Sequence, residues 1–131
     1  MTADENAPGT AASLLVQGKI FSMTNLSGPG TPDLHPAVRH FFDTLPPELR
    51  EPYIGYCAES ALVSDQFWGL DEGRSDGGHT GLDEGAAHFA GAMVMSVKIR
   101  EEGDPEHGET TLPCRSCTAL LDRLGVGISR P

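Results

Sequence analysis

The chain has only three cysteines in 131 residues, and an odd count fits a reducing compartment better than a disulfide framework. It has no apolar run near the ~18 residues that a membrane span requires. It also has no run of basic residues: nine lysines and arginines stand against 19 aspartates and glutamates, for a net charge of −10 at pH 7. That balance repels a polyphosphate backbone, whose binding rests on several lysine or arginine contacts. Nucleic acid is therefore a disfavoured partner and a small substrate a favoured one, although Lys98, Arg100, Arg115, Arg123 and Arg130 fall close enough in sequence to gather locally. The opening "MTADENAPGTAAS" lacks the positive-then-apolar layout of a secretory signal, so a cytoplasmic protein is expected. No internal repeat or low-complexity tract is visible.

What is present reads as one domain by length, with an ordinary 38% hydrophobic and 21% charged residues. Residues 1–12 read as a flexible tail ahead of a domain spanning 13–131. "SLLVQGKIFSM" reads as two strands around Gln17-Gly18-Lys19, the second ending near Asn25. "HPAVRHFFDTL" has Pro36 in a first helical turn and Val38, Phe41, Phe42 and Leu45 at helical spacing. Pro46 and Pro47 stop that helix, and "PPELREPY" starts a short second one. "CAESALVSDQFWGL" is the next helix, with Phe67 and Trp68 assigned to packing. Residues 69–86, glycine-rich and acidic, read as an exposed loop that could serve as a lid. "AGAMVMSVKI" is a strand with Met93, Met95 and Val97 on one side, a methionine stripe expected in the core. "REEGDPEHGETT" is a charged connection, "PCRSCTALLDRL" a helix and "GVGIS" a final strand. His35 and His40 are expected at the surface, His88 where the acidic loop rejoins the sheet, and His79 and His107 in mobile segments. Alternation of strands and helices predicts an α/β fold, a central mixed sheet with helices packed on its faces.

Both cysteine motifs open helices in this reading, where orphan N–H groups and the positive dipole end favour thiolates. Cys114 and Cys117, three apart, share a face and can grip one ion. Cys57 and Glu59, two apart, point roughly 200° apart on a regular helix and address one pocket only if Cys57 precedes full helical geometry. Cys114-x-x-Cys117 alone also fits a redox pair, but such pairs belong early in a βαβ unit, and that reading leaves Cys57 unexplained. Three thiolates plus one solvent molecule make a tetrahedral Zn²⁺ site with an open position, where the solvent pKa falls toward ~7. Glu59 is then the candidate proton shuttle. Arg115, between two ligands, could offset the surplus negative charge from the second shell of the site.

Cys57-Ala58-Glu59 followed by Pro113-Cys114-Arg115-Ser116-Cys117 resembles the signature of the cytidine deaminase superfamily, [H/C]-x-E…P-C-x-x-C. "SLLVQGKIFSMTN", "CAESALVSDQ" and "DPEHG…PCRSC" look most like the YwqJ-type deaminases, a branch related to deaminase domains of bacterial toxin systems. The resemblance implies a three-layer cytidine-deaminase-like fold, Cys57, Cys114 and Cys117 as zinc ligands, and Glu59 as the catalytic residue. It implies substrate contacts from the backbones of Ala58 and Leu112, and from Asn25 near a sugar. Ser27 stands where that family carries a glutamate two residues after the asparagine. The expected function is a zinc-dependent hydrolytic deaminase acting on a free cytosine-type base or nucleoside, a reading also drawn from the acidic charge and the start at Met1. The alternatives are a toxin-like deaminase of single-stranded DNA or RNA, and a non-catalytic zinc-binding scaffold, against which Glu59 counts. A homo-oligomer is expected by analogy with small nucleoside deaminases.

Overall fold

The computed structural model describes residues 9–24, 33–51 and 57–130. Asn25, expected near a sugar, lies outside the described residues.

Strands β1 (Thr10–Val16) and β2 (Lys19–Thr24) form a hairpin in register from Ala11↔Thr24 to Val16↔Lys19. The two turn residues, Gln17 and Gly18, both have left-handed φ, 52° and 74°, the geometry that matches the right-handed twist of the strands. Gln17 is the chain's one described non-glycine residue with positive φ, and its Nε2 donates to the His88 carbonyl at 2.9 Å. β1 starts three residues earlier than "SLLV" suggested, because Thr10, Ala11 and Ala12 continue the ladder opposite Lys98, Val97 and Ser96.

β3 (Met93–Lys98) lies antiparallel to β1 and is the most shared strand. Its other edge pairs with β4 (Thr110–Thr111), antiparallel at Ser96 and Val97, and with β5 (Gly127–Ile128), parallel at Met93 and Val94. β4 was hidden in the charged connection, since two threonines carry no periodicity. The sheet is mixed and open, in the order β2-β1-β3-β4 with β5 beside β3; helices pack on it as the α/β reading predicted, but among the described residues they cover one face and not both, so the expected third layer is not seen there.

Among the described residues four helices accompany it: α1 (Pro36–Asp43), α2 (Ala58–Glu72), α3 (Leu82–Gly85) and α4 (Arg115–Leu124). Short 3-10 turns occupy Pro47–Leu49 and Ala86–Phe89. α1 buries Val38 and Phe42, one turn apart; α4 buries Cys117, Leu120, Leu121 and Leu124, an i, i+3, i+4, i+7 stripe. α4 ends at Gly125, whose φ of 73° caps the last carbonyls in the left-handed conformation. α2 differs: every residue from Ala58 to Ser64 is buried, so its first half is the middle of the protein. The helix also runs two residues past Leu70, and α3 and its 3-10 turn fill much of what read as loop. The unstructured part is 73–81.

One sheet face, with Ala12, Leu14, Val16 and Val94, joins the helices in a single core cluster. On the other face Met93 and Met95 are 43% and 48% exposed, so the methionine stripe assigned to the core faces outward. Alternation placed Met93 and Met95 correctly on one face; it could not say which face the helices cover.

The core leaves no room at Gly85. A Cβ there would overlap the Phe67 ring, which is fully buried and stacked at 5.7 Å on Phe89. Gly85→Ala should lower stability by about 1–3 kcal/mol through overpacking, measured as a lower urea midpoint; an unchanged midpoint would show that the ring can move.

Candidate active site

Cys57 is the N-cap of α2, with extended φ −74° and ψ 148°, so it stands outside helical geometry as the Cys57–Glu59 spacing required. Cys114 is the N-cap of α4, φ −65° and ψ 168°. Its Sγ accepts from the Cys117 amide at 3.4 Å, using sulfur where serine or aspartate would normally cap. The two helices begin side by side: Cys57 Sγ and Cys114 Sγ are 3.5 Å apart, and all three sulfurs lie within 4.8 Å of one another. Cys57 and Cys117 are buried and Cys114 is half-buried. Without an ion the three thiols concentrate negative charge on Cys114. Hydrogen bonds from the Cys117 and Cys57 thiols, then from the Cys117 and Ser116 amides, outweigh burial and bring it down to about 3. Cys57 and Cys117 are correspondingly raised, first because each donates to Cys114. Three close sulfurs, with the Cys114 thiol lowered by its neighbours, are a donor set suited to a thiophilic divalent cation, and they form a candidate metal site.

Glu59, in the first turn of α2, is 3% exposed. Burial pushes its carboxyl up, Ser96 and its own backbone amide pull it down, and the charge on Cys114 raises it further. Ser96 Oγ donates to Glu59 Oε2 at 2.6 Å across the β3–α2 interface. Reading the sequence for ligands and acids missed Ser96. Its signal was a hydroxyl at an inward position of an otherwise apolar strand, opposite in parity to Met93 and Met95.

Ala58 is fully buried at the start of α2, and Leu112 is 48% exposed just ahead of Pro113. Arg115 Nε donates to Glu51 Oε1 at 2.7 Å. Ser116 ties the same region together: its Oγ donates to the Leu49 carbonyl at 2.6 Å and accepts from the Glu51 amide at 3.1 Å. The segment leading toward Cys57 is thereby fastened to the start of α4.

A second cluster sits at the far end of α2. His35, expected at the surface, is fully buried. Its Nδ1 accepts from the Ala37 amide at 3.0 Å, so Nε2 carries the proton and donates to Asp71 Oδ2 at 2.7 Å. His79 Nδ1 meets the same oxygen at 2.7 Å, and the Thr80 amide donates to Asp71 Oδ1 at 2.6 Å. The residue types suit a metal, but the tautomer does not: an ion at His35 Nε2 would have to displace the proton that Ala37 forces there. The cluster is a hydrogen-bonded anchor joining α1, α2 and the 73–81 loop. Sequence periodicity could not reveal it, because its partners lie 36 and 8 residues apart.

An open mixed sheet with helices on it, a cysteine cluster at two adjoining helix starts and a buried glutamate define a protein of the deaminase-like α/β class. The chain belongs to the YwqJ-like deaminase family, whose model matches residues 2–126. No curated protein and no solved structure matches the chain. Among the described residues no helix is long and apolar enough to cross a membrane.

Asp71 makes stability pH-dependent. Burial pushes its carboxyl up, but the bonds from His79, Thr80 and His35 win and hold it well below the usual carboxylate range. The unfolded chain, with an ordinary aspartate pKa of ~3.9, therefore takes up the proton first, so the contribution is complete above that value and lost as the pH falls below it. Asp71→Asn should lower the urea midpoint more at pH 7 than at pH 3; an equal loss at both would mean that the charge is not what holds the anchor.

Proposed function

We propose that the protein is a zinc-dependent hydrolytic deaminase that removes an exocyclic amine from a nucleobase, with a free cytosine-type base or nucleoside as substrate. The observation that supports it most is the pairing of three clustered sulfurs with Glu59, a buried acid that a purely structural metal site does not use. Cys57, Cys114 and Cys117 would hold the ion, which would lower the pKa of a bound water toward ~7. Glu59 would relay the two protons of the attacking water, one to the ring nitrogen as the C–O bond forms and one to the amine as the C–N bond breaks, leaving a carbonyl and ammonia. Burial raises the Glu59 carboxyl, which suits a group that must both accept and release a proton. Ser96 holds one of its oxygens, which fixes the side chain's rotamer. The backbones of Ala58 and Leu112 meet the polar edge of the base, and Asn25 the sugar. Arg115, the first residue of α4, offsets the surplus charge of three thiolates on a divalent ion. A net charge of −10 favours a small substrate over a polyanion.

One feature favours the second reading, a toxin-like deaminase of single-stranded DNA or RNA. A hollow of about 410 Å³ beside the first turns of α4 is lined by the apolar Leu112, Pro113 and Ile128, by Arg115 and Arg130, and by one acid, Asp122. An apolar wall beside two cations could seat a flanking nucleotide.

Zinc content and ammonia release on a panel of bases, nucleosides and oligonucleotides test both readings. Glu59→Gln should keep its zinc and lose turnover by about 10²–10⁴-fold. Cys117→Ser should lose the metal, and Arg115→Gln should retain it less tightly against a chelator. Zinc-free wild-type protein would sink the proposal; turnover on oligonucleotides alone would select the second reading.

A further inference from the structure

The protons that keep a metal ion out of the buried cluster at the far end of α2 leave a ligand on its outer side. Asp71 Oδ2 accepts from His35 Nε2, and His79 Nδ1 meets the same oxygen at 2.7 Å. A carboxylate only accepts, so neutral His79 carries its proton on Nδ1 and keeps a bare lone pair on Nε2. A ring held from behind by a carboxylate in this way has the arrangement of a metal-ligating histidine. Nε2 has no hydrogen-bond partner among the described residues, and the side chain is 57% exposed. The ring is also held in place. It packs edge-on against His35 at 5.4 Å and Trp68 at 5.7 Å, and the Thr80 amide fastens the adjoining backbone to Asp71 Oδ1 at 2.6 Å.

His79 lines a hollow of about 350 Å³ between α1 and residues 79–82. Helix α1 and its C-cap contribute Ala37, His40, Phe41 and Thr44, whose i, i+3, i+4, i+7 spacing sets them on one side of the helix. His40 is exposed, and its ring has no partner among the described residues. Two unpartnered imidazole donors from separate elements thus line one hollow. The other histidines are engaged elsewhere. His35 uses both ring nitrogens, His88 Nε2 meets Gln66 Oε1 at 2.8 Å, and His107 Nδ1 accepts from the Arg100 amide at 3.0 Å.

We propose that His40 and His79 hold a divalent transition-metal ion of the class that prefers imidazole (zinc, nickel or copper), in a second site that clamps α1 to residues 79–82. Imidazole nitrogen selects these ions over magnesium and calcium, which take oxygen. Asp71 is the outer partner, fixing the tautomer of His79 and raising its basicity as a ligand. With two protein ligands the remaining positions belong to solvent, so the site fills and empties with the free-ion concentration. It shares no residue with the sulfurs and does not rest on the deaminase reading. Asp71 stands fourteen positions after Cys57, about 21 Å along α2 at the ordinary helical rise.

Ni²⁺ is the probe, added to the full chain after the sulfurs have been loaded with zinc and the excess removed. Calorimetric titration at neutral pH should show one nickel ion bound per chain, and the ion should raise the urea midpoint by binding the folded state alone. His40→Ala, at an exposed position, and His79→Ala should each weaken binding at least as much as loss of an outer partner does, about 10–100-fold. Both should also abolish the nickel-dependent rise in midpoint, while His107→Ala changes neither. In ¹H–¹⁵N spectra, paramagnetic broadening should begin at residues 37–44 and 78–82. A chain that binds no nickel overturns the proposal. So does nickel that both alanine variants retain, with broadening centred on the sulfurs or His107. Binding lost in only one of the two variants overturns it as well, since that is the behaviour of a lone surface imidazole.

Discussion

Two helices that start at one place bring two sets of orphan N–H groups into a small volume, and at α4 this chain meets that requirement with sulfur. Cys57 and Cys114 are both N-caps, and Cys114 accepts the amide of the third residue of its own helix. The same positions that end the loops therefore hold two of the three sulfurs of the candidate metal site. A cap tolerates a soft anion because the dipole of its helix favours one, and two adjoining helix starts stabilise negative charge better than either alone. The rest of the arrangement follows. α2 must run through the centre to bring Cys57 inward, and β3 must supply a hydroxyl to the acid that this places against the sheet.

Much of this was legible in the residues. The spacing of Cys57, Glu59, Cys114 and Cys117 indicated which side chains meet, and the extended conformation at Cys57 was deduced from the geometric difficulty of a two-residue spacing. Strand parity separated Ser96 from Met93 and Met95 correctly. What stayed hidden were properties that depend on which surfaces meet. In β3 the more apolar side, Met93, Met95 and Val97, faces away from the helices while Val94, Ser96 and Lys98 take the other side, so the methionines were assigned inward. His35 read as surface because it lies near a helix start; its burial depends on Asp71 and Ser64, which belong to another helix.

The two ends of α2 divide the labour of the fold. At its start lie the sulfurs and Glu59; at its end Asp71 gathers His35, His79 and Thr80. Both ends bury a charged or chargeable oxygen that accepts from a side chain elsewhere in the chain, but with opposite outcomes. Glu59 has two donors, the Ser96 hydroxyl and its own amide, and is raised by desolvation, whereas Asp71 has four, from His79, His35 and the amide and hydroxyl of Thr80, and is depressed. The number of N–H and O–H groups offered to each carboxylate decides which end retains a mobile proton and which is locked as an anion.

The Gln17-Gly18 turn takes on a different weight once both faces of β1 are seen to carry leucine, Leu14 inward and Leu15 outward. In most hairpins a slip of one residue is self-correcting, because it turns the oily side to water. Here Leu14 and Leu15, or Val94 and Met95, could exchange faces with little hydrophobic penalty. The pairing must then be held by features indifferent to oiliness: the left-handed pair at the turn, the anchor from Gln17 to His88, and the Ser13–Ser22 hydroxyl bond of 2.8 Å. Three polar details of a peripheral hairpin thus determine, through β1 and β3, whether Ser96 or Met95 points at Glu59.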